Sequence, residues 1–289
     1  MRFWEVGDLF KACYFRGKEL GYEDNHIHFE WPIKVAYNCD YRNKVYYPCP
    51  SHSILPIKFV ENGSVNLNNY DIIDLTKPNS FYEGSIPLYI GNNKKTYAGH
   101  WNYLNKYYIE YKERPIFNIP KDKLEKPYIL FHIRVANWSE YRNPDLNVFR
   151  KVIIMLKNTY SHKYNIWKCG EPCRGLDGYF DKTFEYFEEL DDFLKLINNS
   201  SLFICSNSGP QTFGMMLGTP ILELDSPKYG RRKGCGNFYS KEYWKNKDGI
   251  YGKTAVDWLD KSKIKTIFKG DDVKDDDILS FTEEILCQN

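Results

Sequence analysis

Residues 201–224 read SLFICSNSGPQTFGMMLGTPILEL, and the fold class turns on them. An apolar run over 202–205 stops abruptly at Ser206, Asn207 and Ser208. Gly209 and Pro210 follow, then a stretch of helical character, then Gly218, Thr219, Pro220 and a second apolar run from Ile221. The pattern predicts strand, tight turn, short helix, glycine stop and strand. Pro210 suits a first helical turn, where a missing N–H costs nothing, and Gly218 suits a left-handed exit. Ser208 and Gln211 stand at capping-box spacing, with Ser208 as the cap. Such a unit aims helix N–H groups and a positive dipole end at one edge of a sheet, where a phosphate or diphosphate binds. Any βαβ unit of a parallel sheet has the same periodicity, so the pattern alone leaves a purely structural reading open.

Working outward, the flanking segments read as an α/β chain. Residues 128–135 (YILFHIRV) form a continuous apolar strand with a charged end, as expected of a parallel strand that delivers Arg134 to a ligand edge. A loop through Arg142, Asn143 and Pro144 leads into a helix over about 145–158. Residues 165–169 read as the next strand, ending at Gly170-Glu171, and 190–197 as the helix before the organising strand. At the start of the chain, 1–6 reads as a strand, Gly7-Asp8 as a turn, 9–21 as a helix and 26–31 as a strand. Asp8 thus stands at a helix N-terminus, where capping is its plain structural role. Between 37 and 98, short runs at 44–47, 54–60, 70–75 and 85–90 suggest further strands with short crossovers. Residues 99–111 have an aromatic helical face. Arg114-Pro115, Pro120 and Pro127 mark the domain boundary. The expected division is 1–118, 119–275 and a C-terminal helix in 276–289 that can pack back on the first domain.

The segment Asn207-Ser208-Gly209-Pro210, with the helix after it and the approach from 189, resembles the donor site of heptosyltransferase-like glycosyltransferases of family 9. Asn207 stands where that family has Asp, and Thr212 where it has His. Val6-Gly7-Asp8-Leu9 is similar to the family's opening, in which the Asp faces the acceptor as general base. The likeness spans 128–227 plus that opening. It implies two Rossmann-like domains facing a cleft, the GT-B type. It also implies a nucleotide-sugar gripped by Arg134, Arg142, Asn207, Ser208, Gly209, Pro210, Gln211 and Thr212, with Asp8 as catalytic base. His132-Ile133-Arg134 also resembles the His-x-Arg strand end with which fucosyltransferases hold GDP-fucose. A cation is apt there, because charge grows on the leaving diphosphate as the glycosidic bond breaks.

Composition narrows the alternatives. At 289 residues the chain suffices for two ordinary domains, and its 42% hydrophobic and 27% charged residues are those of a globular protein. A net charge of +2 gives no reason to expect nucleic acid as a partner. No apolar run reaches the roughly 18–20 residues of a membrane span, although peripheral membrane contact stays compatible. The start MRFWEVGDLF lacks a signal-peptide core, so cytoplasmic residence is expected. The eight cysteines are scattered, and only Cys169 and Cys173 are close; buried reduced thiols are expected ahead of a zinc site. Two phosphate-loop lookalikes fail on spacing: GIYGKT at 249–254 has Lys247 where the first Gly belongs, and GCGNFY at 234–239 lacks a third Gly. The basic residues Lys228, Arg231, Arg232 and Lys233 could clamp phosphates or form a solvated loop, and the acidic run 271–277 reads as a linker.

The expected activity is a metal-independent, inverting glycosyltransferase. It needs no cofactor beyond its nucleotide-sugar co-substrate and takes a glycan or glycolipid acceptor. Two alternatives stay open: a nucleotide-sugar epimerase of the same architecture, and a non-catalytic carbohydrate- or nucleotide-binding protein with an altered donor site.

Overall fold

The computed structural model describes residues 10, 14, 27–31, 53–55, 58–61, 71–73, 86–90, 94–98, 117, 119–120, 122–135, 143–226, 261–271 and 274–287. The six strands of the C-terminal part are β6 (Tyr128–His132), β7 (Asn165–Cys169), β8 (Lys182–Phe184), β9 (Leu202–Cys205), β10 (Ile221–Ser226) and β11 (Ile264–Phe268). All their pairings are parallel, in the order β11-β10-β9-β6-β7-β8. From β6 the chain winds outward through β7 and β8, then returns to lay β9, β10 and β11 on the other side. This is the doubly wound order of a Rossmann sheet, and its topological switch point lies between β6 and β9.

Among the described residues four helices cover the sheet: α1 (Leu146–Tyr160), α2 (Leu190–Asn198), α3 (Gly209–Leu217) and α4 (Asp275–Cys287). Strand alternation divides the core between them. Ile129, Phe131, Leu202, Ile204, Leu222 and Leu224 share one buried cluster with Phe149 and Ile153 of α1 and Phe281 and Ile285 of α4. The other face meets α2 and α3: the Tyr128 hydroxyl donates to the Leu196 carbonyl at 2.7 Å. A Cβ on Gly214 would lie 2.9 Å from Phe203 Cδ1 and 3.0 Å from Ile221 Cδ1. Glycine at 214 therefore sets how closely α3 approaches the sheet.

The organising segment folds as its pattern predicts. Gly218 ends α3 in the left-handed conformation, φ 77°, and its N–H and that of Thr219 close on the Met215 and Gly214 carbonyls. All nine residues of α3 are buried, so it lies between layers and does not form a surface. The sheet covers one side. From the N-terminal part, Phe10, which is fully buried, stacks on Phe213 with ring centroids 5.8 Å apart. Burying one such ring contributes about 1.5–3 kcal/mol. Nearby, Asp191 in the first turn of α2 accepts from the Ser53 N–H (2.7 Å) and hydroxyl (2.6 Å) and from the Ile54 N–H (3.3 Å).

Three expectations need correction. The N-terminal strands β1 (Ile27–Trp31), β2 (Lys58–Glu61), β3 (Asp71–Ile73), β4 (Ile86–Ile90) and β5 (Lys94–Ala98) form a mixed sheet, order β2-β1-β4-β5-β3. β4 pairs antiparallel with both β1 and β5, where a Rossmann-like first domain implied parallel strands. The signal was available: residues 91–93 read Gly-Asn-Asn, a composition suited to a hairpin connection. Secondly, β5, β8 and β11 are additional to the expected strands: KKTYA, KTF and IKTIF are short, and Lys and Thr interrupt their apolar residues. Thirdly, part of the acidic run belongs to a helix. Asp275, Asp276 and Asp277 form the first turn of α4, where the dipole favours them, and Lys151 pairs with Asp275 at 2.7 Å. α4 also joins the core beside α1 on the six-stranded sheet. The expected strand at 1–6, the runs at 44–47, the helix at 99–111 and the basic residues at 228–233 lie outside the described residues.

Candidate functional site

The switch point gathers the C-terminal ends of β6 and β9 and, beside them, that of β10. Register places Cys169, His132, Cys205, Glu223 and Thr266 side by side across five strands, in that order. All five belong to the sheet face that receives α3. Above this row, the turn 206–208 leads from β9 into α3.

Hydrogen bonds tie the β6 and β9 ends together. The Ser206 N–H donates to the His132 carbonyl at 3.0 Å, and the Arg134 N–H donates to Ser206 Oγ at 2.7 Å. Arg134 lies two residues beyond β6, is 8% exposed, and donates from Nη1 to the Asn143 side-chain oxygen. Lys269 reaches the Asn143 carbonyl at 3.1 Å. Asp145, the N-cap of α1, accepts from Asn147 and passes its own N–H to Asp225 Oδ2 at 2.7 Å. The loop that follows β6 is thereby tied to the end of β10 and to the residue after β11.

Ser208 occupies the N-cap position of α3, but the expected capping box is not made. Its hydroxyl lies 3.0 Å from His132 Nδ1 and 3.2 Å from the Ser206 carbonyl, with no bond to the helix amides. The Gln211 side chain is buried and forms no hydrogen bond of ordinary geometry; only its N–H is satisfied, by the Ser208 carbonyl at 3.1 Å. His132 outcompetes the helix because β6 ends directly beneath the turn. The α3 N-terminus is thus left uncovered by its own cap side chain, a disposition that suits an anion.

His132 is held neutral. Burial, then the charges of Lys168 and Arg134, lower its pKa to about 3. Lys168 is itself fully buried and pairs with Asp177 at 3.1 Å. Gly170, at φ 107°, lets the chain pass the imidazole where a Cβ would come within 3.0 Å of Cδ2. An imidazole this reluctant to take a proton is no general base, so the Ser208–His132 pair orients a hydroxyl and does not activate a nucleophile. A pH signature follows. The folded pKa lies below the unfolded value of about 6.5, so the unfolded chain takes the proton first. His132 therefore costs stability increasingly as pH falls from about 6.5 towards 3, and nothing above that window. Urea unfolding at pH 7 and pH 4.5 should show a smaller acid loss for His132→Asn than for the wild type. Equal losses would mean that His132 charges freely in the folded chain.

Glu223 is the other buried ionisable group of the row. Its Oε1 accepts from Asn207 Nδ2 at 3.1 Å and Ser226 Oγ at 2.6 Å, and its Oε2 from Thr266 Oγ1 at 3.2 Å. Burial raises its pKa, while Ser226, Asn207, the nearby Gln211 amide and Thr266 pull it back. Asn207 is only 1% exposed, so its amide serves the turn from within.

The structure therefore brings together Arg134, Asn207, Ser208, Gly209, Pro210, Gln211 and Thr212. Ser208 is half-buried; Gln211 and Thr212 are enclosed. Asp8 and Arg142 lie outside the described residues. Glu223 and Thr266 are site residues that no motif in the sequence singles out. A lone acid within the apolar run ILEL was the visible sign of the first. Cys169, Cys173 and Cys205 are buried free thiols, and burial pushes Cys173 up to about 11. Among the described residues no group of three or more His, Cys, Asp or Glu is placed to hold a metal ion, and no helix is long and apolar enough to cross a membrane.

The fold and site define an α/β chain with a doubly wound sheet and a polar switch point. No family profile matches the chain, and no curated protein matches it. Among solved structures it is similar to the E. coli ADP-heptose lipopolysaccharide heptosyltransferase II, at 12% identity and TM-score 0.38 over 57% of this chain and 48% of that one. It is also similar to a family 9 glycosyltransferase from Veillonella parvula, at 12% identity and TM-score 0.36 over 57% and 47%. A third is E. coli heptosyltransferase WaaC with ADP-2-deoxy-2-fluoro heptose, at 14% identity and TM-score 0.31 over 39% and 37%. The match spans less than half the length of each of these proteins. They include the family that the donor-like segment resembles; at these scores the likeness says nothing about activity, which has to be argued from the site.

Proposed function

We propose that this chain is a glycosyltransferase that moves a sugar from a nucleotide-sugar to a hydroxyl of a glycan or glycolipid. The observation behind this reading is the adjacency of Arg134 and the α3 N-terminus at the switch point, linked through Ser206. A guanidinium beside a helix N-terminus suits a diphosphate, and the switch point is where doubly wound sheets take nucleotides. Arg134, Ser208 and the first turn of α3 hold the diphosphate, with Arg142 as a further candidate. Asn207 supports the turn from beneath.

Asp8 is the proposed base. Two residues after it in sequence, Phe10 is helical and stacks on Phe213 of α3, which supports a place for this segment beside the donor helix. Abstraction of the acceptor proton, with attack opposite the departing diphosphate, gives inversion. The reading keeps two domains, divided near residue 118, with the acceptor on the first. The enclosure of Asn207, Gln211 and Thr212 favours a second reading, a binding module without turnover.

Incubation with UDP-, GDP-, ADP- and CMP-sugars plus acceptor glycans tests the first reading, and nucleotide binding without turnover would favour the second. Arginine and the helix dipole take the place of a metal in this mechanism. Turnover is therefore expected to survive EDTA; loss on chelation with recovery in Mg²⁺ or Mn²⁺ would refute it.

A further inference from the structure

A fully buried carboxylate in the middle of a strand needs a reason, because an uncompensated charge there costs several kcal/mol. Glu223 is 0% exposed, and its hydrogen bonds reach three separate pieces of the switch point. Asn207 belongs to the turn that opens α3, Ser226 to the end of β10, and Thr266 to β11. Residues three apart on a regular strand point to opposite faces. Ser226 reaches Glu223 because the β10–β11 register shifts between Glu223 and Ser226, with Asp225 in the left-handed region at φ 51°. Such backbone strain persists only where surrounding contacts hold it, and it gathers at functional sites. Asp225 in turn receives the N–H of Asp145, so the same bulge fixes the start of α1.

We propose that Glu223 is the positioning residue of the anion site, its carboxylate locking the Asn207 amide and thereby the Ser206–Ser208 turn in the geometry that presents α3 to a diphosphate. This rests on the reading of the site given above. The lock demands one carboxylate and one amide. Asn207 supplies the hydrogen, and an acid at 207 would set two carboxylates face to face unless they shared a proton. Among the described residues, the groups facing Glu223 do not relieve that conflict. Thr266 and Gln211 are neutral, Ser226 is a hydroxyl, and Cys205 on β9 is held neutral by burial and by Glu223 itself.

The test exchanges the partners. Binding of inorganic pyrophosphate, and of ADP, GDP and UDP, is measured by calorimetry at pH 5.5 and pH 8 for wild type, Asn207→Asp, Glu223→Gln and the double variant. Thermal unfolding is followed in parallel. Relative to wild type at each pH, Asn207→Asp should bind at least roughly tenfold more weakly at pH 8 and recover most of that at pH 5.5. The double variant restores one carboxylate and one amide, so it should return to within about threefold of wild type at both pH values. A merely structural loss would not be rescued by removing a second native residue. Wild-type affinity in Asn207→Asp at pH 8, or a double variant no better than the single one, would overturn the proposal. Should the wild type bind none of these ligands, the donor reading fails, and unfolding decides the lock separately. Asn207→Asp must then be destabilised at pH 8 relative to pH 5.5 and rescued by Glu223→Gln; parallel unfolding of all four proteins would overturn it.

Discussion

Replacing Asp8 by Asn is expected to slow glycosyl transfer by roughly 10²–10⁴, the usual loss when a positioned base is removed. The substitution is chosen to separate chemistry from structure. Asp and Asn are nearly equal as helix caps, so a cap at position 8 survives and stability should hardly change. The carboxylate, however, is gone, and an amide cannot accept the acceptor's proton. Donor affinity should stay within a few-fold of wild type, because the diphosphate is assigned to Arg134 and α3. Asp8→Ala should add a stability loss of about 0.5–2 kcal/mol where the capping role also holds. Steady-state rates with saturating donor, read beside a urea unfolding curve, provide the check. A folded Asp8→Asn protein that turns over within a few-fold of wild type would leave Asp8 as a helix cap only.

Arg134→Ala is expected to weaken nucleoside diphosphate binding by about 1.5–3 kcal/mol, roughly 10–150-fold in the dissociation constant. The loss should fall on diphosphates and spare the nucleoside, because a guanidinium near a leaving diphosphate recognises charge and not the base. Arg134 also packs: it is 8% exposed and holds the Asn143 side chain ahead of α1. Arg134→Lys is therefore the companion variant. It keeps the charge but not the planar fork, so it should fall between wild type and alanine. Arg142→Ala measured alongside shows whether a second cation shares the work. Unchanged diphosphate affinity in both alanine variants would move the phosphate site elsewhere, with the basic residues at 228–233 the next place to look.

Much of the C-terminal part is legible in the sequence. Strands β6, β7 and β9 and helices α1, α2 and α3 lie within a few residues of where periodicity and turn residues place them. They are buried elements, so their apolar residues recur with little interruption and their ends carry Asp, Gly or Pro with definite backbone roles. In the short strands β5, β8 and β11, where Lys and Thr interrupt the apolar residues, that signal is missing. The mixed sheet of the N-terminal strands went unseen for a related reason: local pattern says that a segment is extended, not which neighbour it joins or in which direction.

The sequence alone determined that a strand, a turn and a short helix follow one another at 202–217, and that polar residues with a glycine and a proline stand at the join. Those are local facts, set by side-chain periodicity and by what Pro210 and Gly218 permit the backbone. What Ser208 and Asn207 do there was decided only by tertiary structure. Ser208 has the right spacing for a cap, yet β6 delivers His132 beneath it, and a buried imidazole needs a hydrogen-bond partner. The family resemblance implies that Asn207 helps to grip a nucleotide-sugar, yet β10 brings Glu223 to its amide from sixteen residues away in the chain. Parallel-sheet register makes both partnerships, and no local pattern in the chain encodes which strand will lie next to which.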